Sequence, residues 1–221
     1  MGKQYYDAYD QRYQVAHAAG VRWMGDGATP ILPDVLDRYG IRPDTPILEL
    51  GCGEGRDAIP LLKKGYVNLL ATDVSPEAIR YCRALCSESA DRFQVLDCVK
   101  GRLDGRFGFI YAVAVLHMLT EDADRLALLR FVRDHLNPGG LALLCTMGDG
   151  EQEARSDPRT AFETREREAE GKTLRVPNTS CRIVRWDTLH RELRSAGLQI
   201  LEQGITEIPG QFDQMMYTVV T

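Results

Sequence analysis

The sequence predicts an α/β fold: a mostly parallel sheet with helices on both faces and an antiparallel last strand. Three observations lead to it. From Pro46 to Thr146, short apolar runs alternate with helical patterns, the arrangement that βαβ units produce. The first run, Pro46 to Leu50, leads into Gly51-Cys52-Gly53-Glu54-Gly55, after which a helical pattern begins at Asp57. The last two strand candidates, 198–207 and 213–220, are separated only by Ile208-Pro209-Gly210-Gln211-Phe212. So short a link forces antiparallel neighbours, because a parallel return needs a long crossover.

Residues 3 to about 19 have a helical pattern rich in tyrosine, in which Tyr6, Tyr9 and Tyr13 are spaced by three and four and share one helix face. Val21-Arg22-Trp23-Met24-Gly25-Asp26-Gly27 reads as a loop with an aromatic in its middle. A second helix, Pro30 to Tyr39, stops at Gly40. Strands are expected at 47–50, 68–72, 92–96, 108–114 and 141–146, and helices at 57–64, 76–89 and 122–136. Ser75-Pro76-Glu77 is a capped helix start with proline in the first turn, and Asn137-Pro138-Gly139-Gly140 a helix stop followed by a tight turn. Residues 148–184 are polar and charged, with a short helix expected around Pro158 to Glu170. They are too many for an ordinary connection, so they are expected to form an inserted lid or substrate-binding segment. A helix from Trp186 to Ala196, ended by Gly197, precedes the closing strands. The chain thus reads as a single domain, 1–221, with residues 1–40 as an N-terminal helical cap.

Composition narrows the class. Of 221 residues, 44% are apolar and 27% charged, with a net charge of −5, ordinary values for a globular chain with a full core. No cluster of Lys and Arg stands out that would release counterions from a polyanion, which disfavours nucleic acid as a partner. The N-terminus lacks a signal-type apolar core, and no apolar run is long enough to span a bilayer, so a cytoplasmic protein is expected. The cysteines at 52, 82, 86, 98, 145 and 181 form no Cys-x-x-Cys pair. Cys82 and Cys86, one helical turn apart, read as packing, and all six as reduced thiols.

A strand, a glycine turn and a helix N-terminus make a place where a ligand lies against backbone N–H groups. Glycines also occupy turns simply because a turn needs positive φ, which alone implies no ligand. Asp73 comes eighteen residues after Gly55, at the end of the apolar run Leu69-Leu70-Ala71-Thr72, where an acid accepts hydrogen bonds from ribose hydroxyls. Glu49, inside an apolar strand, needs partners for its carboxyl.

Five pieces in order resemble the class I S-adenosylmethionine-dependent methyltransferases: Leu48-Glu49-Leu50-Gly51-Cys52-Gly53-Glu54-Gly55, Thr72-Asp73-Val74-Ser75, Leu96-Asp97-Cys98, Phe109 to Leu119, and Leu136-Asn137-Pro138-Gly139-Gly140 before Leu141. The alternate spacing Gly51-x-Gly53-x-Gly55 differs from the dinucleotide fingerprint Gly-x-Gly-x-x-Gly. The turn looks most like that of bacterial small-molecule methyltransferases such as the tellurite-resistance and thiopurine enzymes. The resemblance implies a Rossmann-like seven-stranded sheet and S-adenosyl-L-methionine as cofactor, held by Glu49, Gly51, Cys52, Gly53, Gly55, Asp73, Val74, Asp97, Cys98, Val113 and Tyr6. In it, Asp73 takes the ribose hydroxyls and Asp97 the adenine amino group beside the Cys98 backbone, while Glu49 organises the site beneath the cofactor's amino-acid portion.

The resemblance also places His117 at the cofactor–substrate boundary, as a base or as a pocket wall. Its spacing with Leu116 and Leu119 equally fits a packed histidine. Tyr9 and Tyr13 are catalytic candidates because tyrosine faces attract a sulfonium, although an aromatic stripe also serves as an ordinary packing face. Trp23, His117 and Arg182 are candidate substrate contacts. Asp149 and Glu151 lack partners for a metal site, so metal-independent transfer to a small N, O or S (or Se or Te) nucleophile is expected. The alternatives are a cofactor-binding module without turnover, or modification of tRNA or another macromolecule. A monomer and a homodimer are equally compatible with the sequence.

Overall fold

The computed structural model describes residues 3–23 and 27–221. Of the expected 21–27 loop, Met24, Gly25 and Asp26 lie outside the described residues. A 3-10 turn, Tyr5–Asp7, leads into α1 (Ala8–Ala18), and α2 is Ile31–Arg38. The alternating region is β1 (Ile47–Leu50), α3 (Ala58–Lys63), β2 (Leu69–Asp73), α4 (Pro76–Leu85), β3 (Phe93–Val95), β4 (Phe107–Val113), α5 (Asp122–His135) and β5 (Leu136–Met147). Then come β6 (Ala154–Arg155), β7 (Thr164–Ala169), β8 (Lys172–Pro177), β9 (Arg182–Ile183), α6 (Trp186–Ala196), β10 (Ile200–Ile208) and β11 (Phe212–Val220).

Seven strands form one sheet in the order β10-β11-β5-β4-β1-β2-β3. The pairs β1–β2, β1–β4, β2–β3 and β4–β5 are parallel, and β11 runs antiparallel to both β5 and β10. This is the expected Rossmann-like sheet. Its strands alternate between two apolar layers, as period-two geometry requires. Ile47, Phe109 and Tyr111 pack with Val35 of α2, Leu61 of α3 and Ile79 of α4. Leu48, Leu50, Ile110 and Ala112 pack on the other face with Leu128 and Val132 of α5 and Leu189 and Leu193 of α6.

The helix punctuation works as the sequence requires. The Ser75 hydroxyl accepts the Ala78 N–H at 3.0 Å to cap α4, with Pro76 in its first turn. Gly197 ends α6 in the left-handed conformation at φ 84°. The helix expected over 76–89 stops at Leu85, and a 3-10 segment, Ser87–Arg92, follows. Asn137–Gly140 does not separate α5 from β5 but sits inside the start of the strand. Pairing jumps from Phe107↔Leu136 to Phe109↔Leu141, so these turn residues are absorbed as a bulge.

The main correction concerns the inserted segment. The short helix expected around Pro158 to Glu170 is only a 3-10 turn, Pro158–Thr160, followed by the antiparallel hairpin β7–β8. Glu170 and Gly171 both have positive φ, 47° and 72°, which gives the two-residue turn that suits hairpin twist. The charges of Arg165-Glu166-Arg167-Glu168 alternate with period two, so one face of the strand carries both arginines and the other both glutamates. Helix propensity of Arg and Glu is a weak preference that this tertiary pairing overrides.

Candidate active site

A cavity of about 440 Å³ opens at the carboxyl ends of β1, β2 and β4, the crevice where open α/β sheets bind ligands. Its floor comes from the alternating region: Gly51, Asp73, Val74, Asp97, Cys98 and Val113. Its roof comes from α1 and its flanks (Tyr6, Tyr9, Arg12, Tyr13, Trp23) and from the inserted segment, including Arg165, Arg167 and Asn178–Cys181. Between them lie His117, Met118, Met147 and Phe212.

The floor is set by local backbone. Gly51, Gly53 and Gly55 have φ of 74°, 52° and 79°, the left-handed region that glycine enters without steric cost. A Cβ on Gly51 would meet Val115 Cγ2 at 2.3 Å, so no side chain fits between this turn and the end of β4. The Gly53 N–H donates to Asp73 Oδ2 at 2.8 Å and the Ser75 N–H to Asp73 Oδ1 at 2.8 Å, so the turn fixes the acid's orientation. Burial pushes the Asp73 carboxyl up to about 6, against the pull of those two donors. Asp97 is held likewise: Oδ1 accepts from the Val99 N–H at 2.9 Å and Oδ2 from the Tyr6 hydroxyl at 2.9 Å. Burial raises the neighbouring Cys98 thiol to about 12, which keeps it protonated.

Glu49, Cys52, Gly53 and Gly55 do not line the cavity. They support it from below. Glu49 is buried, and burial together with the Asp57 charge raises its carboxyl well above the usual range, towards the neutral form. Its Oε2 has no partner among the described residues. Cys52 packs in the core, and the Gly53 carbonyl accepts from the Cys82 thiol at 3.2 Å.

His117 is buried in a 3-10 turn, Leu116–Met118, edge-on to Phe212. Burial first, then the charge of Arg125, lowers its imidazolium to about 4, so the ring is neutral near neutral pH. Its Nδ1 accepts the Met147 N–H at 3.4 Å, which leaves the proton on Nε2. Arg125 clamps this turn from behind. It is fully buried, donates to the Leu116 carbonyl at 2.7 Å and forks onto Glu192 of α6 at 2.8 and 2.7 Å. Burial raises Tyr9 to about 12 and Tyr13 well above its ordinary value. The Tyr9 hydroxyl donates to the Ser180 carbonyl at 2.8 Å.

Arg182 does not enter the cavity. Its guanidinium is spent on the Thr120 carbonyl at 2.9 Å and on Asp122, which ties β9 to the start of α5. Asp149 accepts from the Glu151 and Gln152 N–H groups as a turn cap. Among the described residues no group of three or more His, Cys, Asp or Glu side chains is placed to hold a metal ion, and no helix is long and apolar enough to cross a membrane.

The alternate-glycine turn, an oriented acid after β2, a second after β3 and the antiparallel seventh strand coincide with a match over residues 25–203 to a family model described as a methyltransferase domain. The chain belongs to that family. The chain is similar to phosphoethanolamine N-methyltransferase 1 of Arabidopsis thaliana, 27% identical over 137 residues, which are 60% of this chain and 27% of that protein. It is 29% identical over 136 residues to the ubiquinone biosynthesis O-methyltransferase of Xanthomonas campestris pv. campestris (strain B100), covering 57% of this chain and 55% of the relative. It therefore spans between about a quarter and about half the length of these two relatives. The glycopeptide N-methyltransferase MtfA, solved in complex with sinefungin, superposes with a TM-score of 0.66 at 25% identity, covering 89% of this chain and 87% of that one.

Several residues that build this methyltransferase's site carry no signal in the sequence. His17 bridges two acids, Nε2 to Glu54 at 2.8 Å and Nδ1 to Glu77 at 2.7 Å, and stacks on Tyr81. It thereby fastens α1 to the glycine turn and to α4. Asp10 adds a second fastening, accepting from the Ser75 hydroxyl at 2.6 Å and the Glu77 N–H at 3.1 Å. Arg12 reaches the inserted segment, donating to the Pro177 and Asn178 carbonyls and the Thr179 hydroxyl. Ala114 and Thr179, both cavity-lining, sit at positive φ of 59° and 60°, a strain of about 1–3 kcal/mol each that surrounding structure sustains at functional sites.

Proposed function

We propose that this methyltransferase moves the methyl group of S-adenosyl-L-methionine to an N, O or S (or Se or Te) nucleophile of a small molecule, without a metal. The observation that carries the reading is the continuity of the cavity. Two oriented acids at strand ends, the buried Asp73 and the half-buried Asp97, share one cavity with an apolar chamber made by Val113, Met118, Leu119, Met147 and Phe212. Neighbours of this fold support the cofactor, MtfA having been solved with S-adenosyl-L-methionine as well as with sinefungin.

The residues present fit that cofactor. Asp73 would hold the ribose hydroxyls, Asp97 with the Cys98 backbone the adenine edge, Gly51 the backbone cradle, and the Tyr6, Tyr9 and Tyr13 rings the cationic side. The sulfonium supplies a methyl group already activated for transfer. The chain's own work is then to align the acceptor, shield it from water and stabilise the geometry of attack. None of the cavity's tyrosines or its histidine is an ionised base near neutral pH. Tyr9 is raised to about 12, and His117 has Nδ1 occupied by the Met147 N–H. His117 therefore offers Nε2–H as a donor that orients the acceptor rather than a lone pair that takes its proton. The acceptor is accordingly one that needs little base assistance: a neutral amine, a thiolate or an already acidic hydroxyl.

The test is to incubate the protein with methyl-labelled S-adenosyl-L-methionine and a panel of small amines, thiols and phenols, following S-adenosylhomocysteine release. Binding of the cofactor with no transfer to any of them would favour a binding module without turnover. Transfer to tRNA but to no small molecule would overturn the small-acceptor reading.

A further inference from the structure

Three arginines line the roof of the cavity, and none of them has a carboxylate partner among the described residues. Arg12 stands on α1, and Arg165 and Arg167 stand two residues apart on β7. The two carboxylates that line the same cavity, Asp73 and Asp97, belong to the floor, and each already accepts two or more hydrogen bonds. Arg12 spends Nη2 on the 177–179 loop, but its Nε is buried without an acceptor among the described residues. Such a donor costs about 1–3 kcal/mol unless something satisfies it. Its guanidinium carbon lies over the Trp23 ring, 4.6 Å from the centroid.

The hairpin separates charge across its two faces. Glu166 and Glu168 point away from the cavity-lining side, where Glu168 accepts from the Thr173 hydroxyl and Glu166 stands opposite Arg175. Because side chains alternate across a strand, these acids are on the wrong face to neutralise Arg165 and Arg167. The inward face is completed by Leu174 and Val176 of β8, packed with Ala16 and Val21 against α1. Arg167 is also near enough to Arg12 for the like charges to oppose each other, which, after burial, helps to lower the Arg12 guanidinium. Three guanidinium groups thus line the roof of one chamber, and none of them forms an ion pair with a carboxylate among the described residues.

We infer that the methyl acceptor is a small anion, its carboxylate or phosphate group held by Arg12, Arg165 and Arg167 while its nucleophile lies towards His117. The inference rests on the methyltransferase reading and adds the substrate's charge class to it. Guanidinium forks match both carboxylate and phosphate oxygens in pairs. An anionic acceptor also offsets the positive charge that the sulfonium brings into the same space, where poor solvation strengthens the attraction.

Calorimetry tests it with inorganic phosphate, benzoate and the neutral isostere benzamide, each titrated with and without saturating S-adenosylhomocysteine. Benzoate or phosphate is expected to bind at least tenfold more tightly than benzamide, and the comparison of the two anions tells which group the roof prefers. In the double variant Arg165→Gln/Arg167→Gln, both exposed positions, the anion should bind at least tenfold more weakly while S-adenosylhomocysteine keeps its affinity within twofold. Arg12→Lys, which keeps the charge but loses the fork, should fall between. Anions binding no better than benzamide, or equally well to wild type and the double variant, would overturn the inference. Failure of S-adenosylhomocysteine to bind the wild type would instead remove the methyltransferase reading, and anion binding measured without it keeps the two failures distinct.

Discussion

The floor and the roof of the cavity are built by different means. The floor is backbone: left-handed glycines, two N–H groups on Asp73 and two on Asp97, all within a few residues of strand ends. The roof is side chain. Tyr6, Tyr9, Arg12 and His17 of the N-terminal helical region reach Asp97, Ser180, Pro177 and Glu54, partners 91, 171, 165 and 37 positions away. A backbone site tolerates almost any chemistry above it, because it recognises what all reactions of the family share. A side-chain site can be re-specified residue by residue.

The largest effect that would sharpen this contrast belongs to the floor. Asp73→Ala should weaken S-adenosylhomocysteine binding about a hundredfold, the loss of charged hydrogen bonds worth about 2–3 kcal/mol, whereas Arg165→Gln leaves it unchanged. Equal calorimetric affinities for wild type and Asp73→Ala would remove Asp73 from the site. Since the Asp73 carboxyl is raised to about 6, wild-type cofactor affinity should also decline as pH falls through 6, and Asp73→Asn should abolish that decline.

His117 lies where floor and roof meet. Its folded value of about 4 is below the 6.5 of a free histidine, so the unfolded chain takes up the proton first. Its contribution is therefore complete above pH 6.5 and is lost as pH falls towards 4, about 2 kcal/mol by pH 5. Denaturant unfolding of His117→Gln across this window should show a flatter pH dependence than wild type. An unchanged slope would mean that the histidine is not buried as a neutral ring.

Smaller is the expected effect of unfastening the roof. His17→Phe keeps the stack on Tyr81 but loses both acids, and should weaken cofactor binding about tenfold, in the range of one charged hydrogen bond. Faster proteolysis of residues 3–23 should accompany it. If affinity and proteolysis are both unchanged, α1 is held by packing alone. The smallest effect is Tyr9→Phe, which removes one bond to a carbonyl and should change kcat by less than about threefold near neutral pH. A loss of a hundredfold or more would make Tyr9 the proton acceptor and overturn the base-independent reading.

Much of the fold was legible because it is written locally. β1 at 47–50 and α6 at 186–196 matched the sequence reading residue for residue, since apolar periodicity and capping residues act within a few positions. The short helix expected around Pro158 to Glu170 follows from the slight helix preference of Arg and Glu, and only the Glu170–Gly171 turn and its docking on α1 commit this stretch to a hairpin. A histidine in a helix says nothing of the acids it will meet, so the role of His17 is invisible in the sequence, and a charge in a cap does not reveal that Thr120 and Asp122 occupy Arg182.

The sequence by itself determined the seven-stranded sheet, the glycine turn and the position of Asp73, because strand alternation, positive φ and helix caps are properties of short stretches of chain. Only the tertiary structure decided which tyrosines face the cavity, how His17 fastens α1, and that Arg12, Arg165 and Arg167 share one roof. Those juxtapositions join segments from 37 to 171 positions apart. They are fixed by long-range packing of α1 against α4 and β8, which no local pattern encodes.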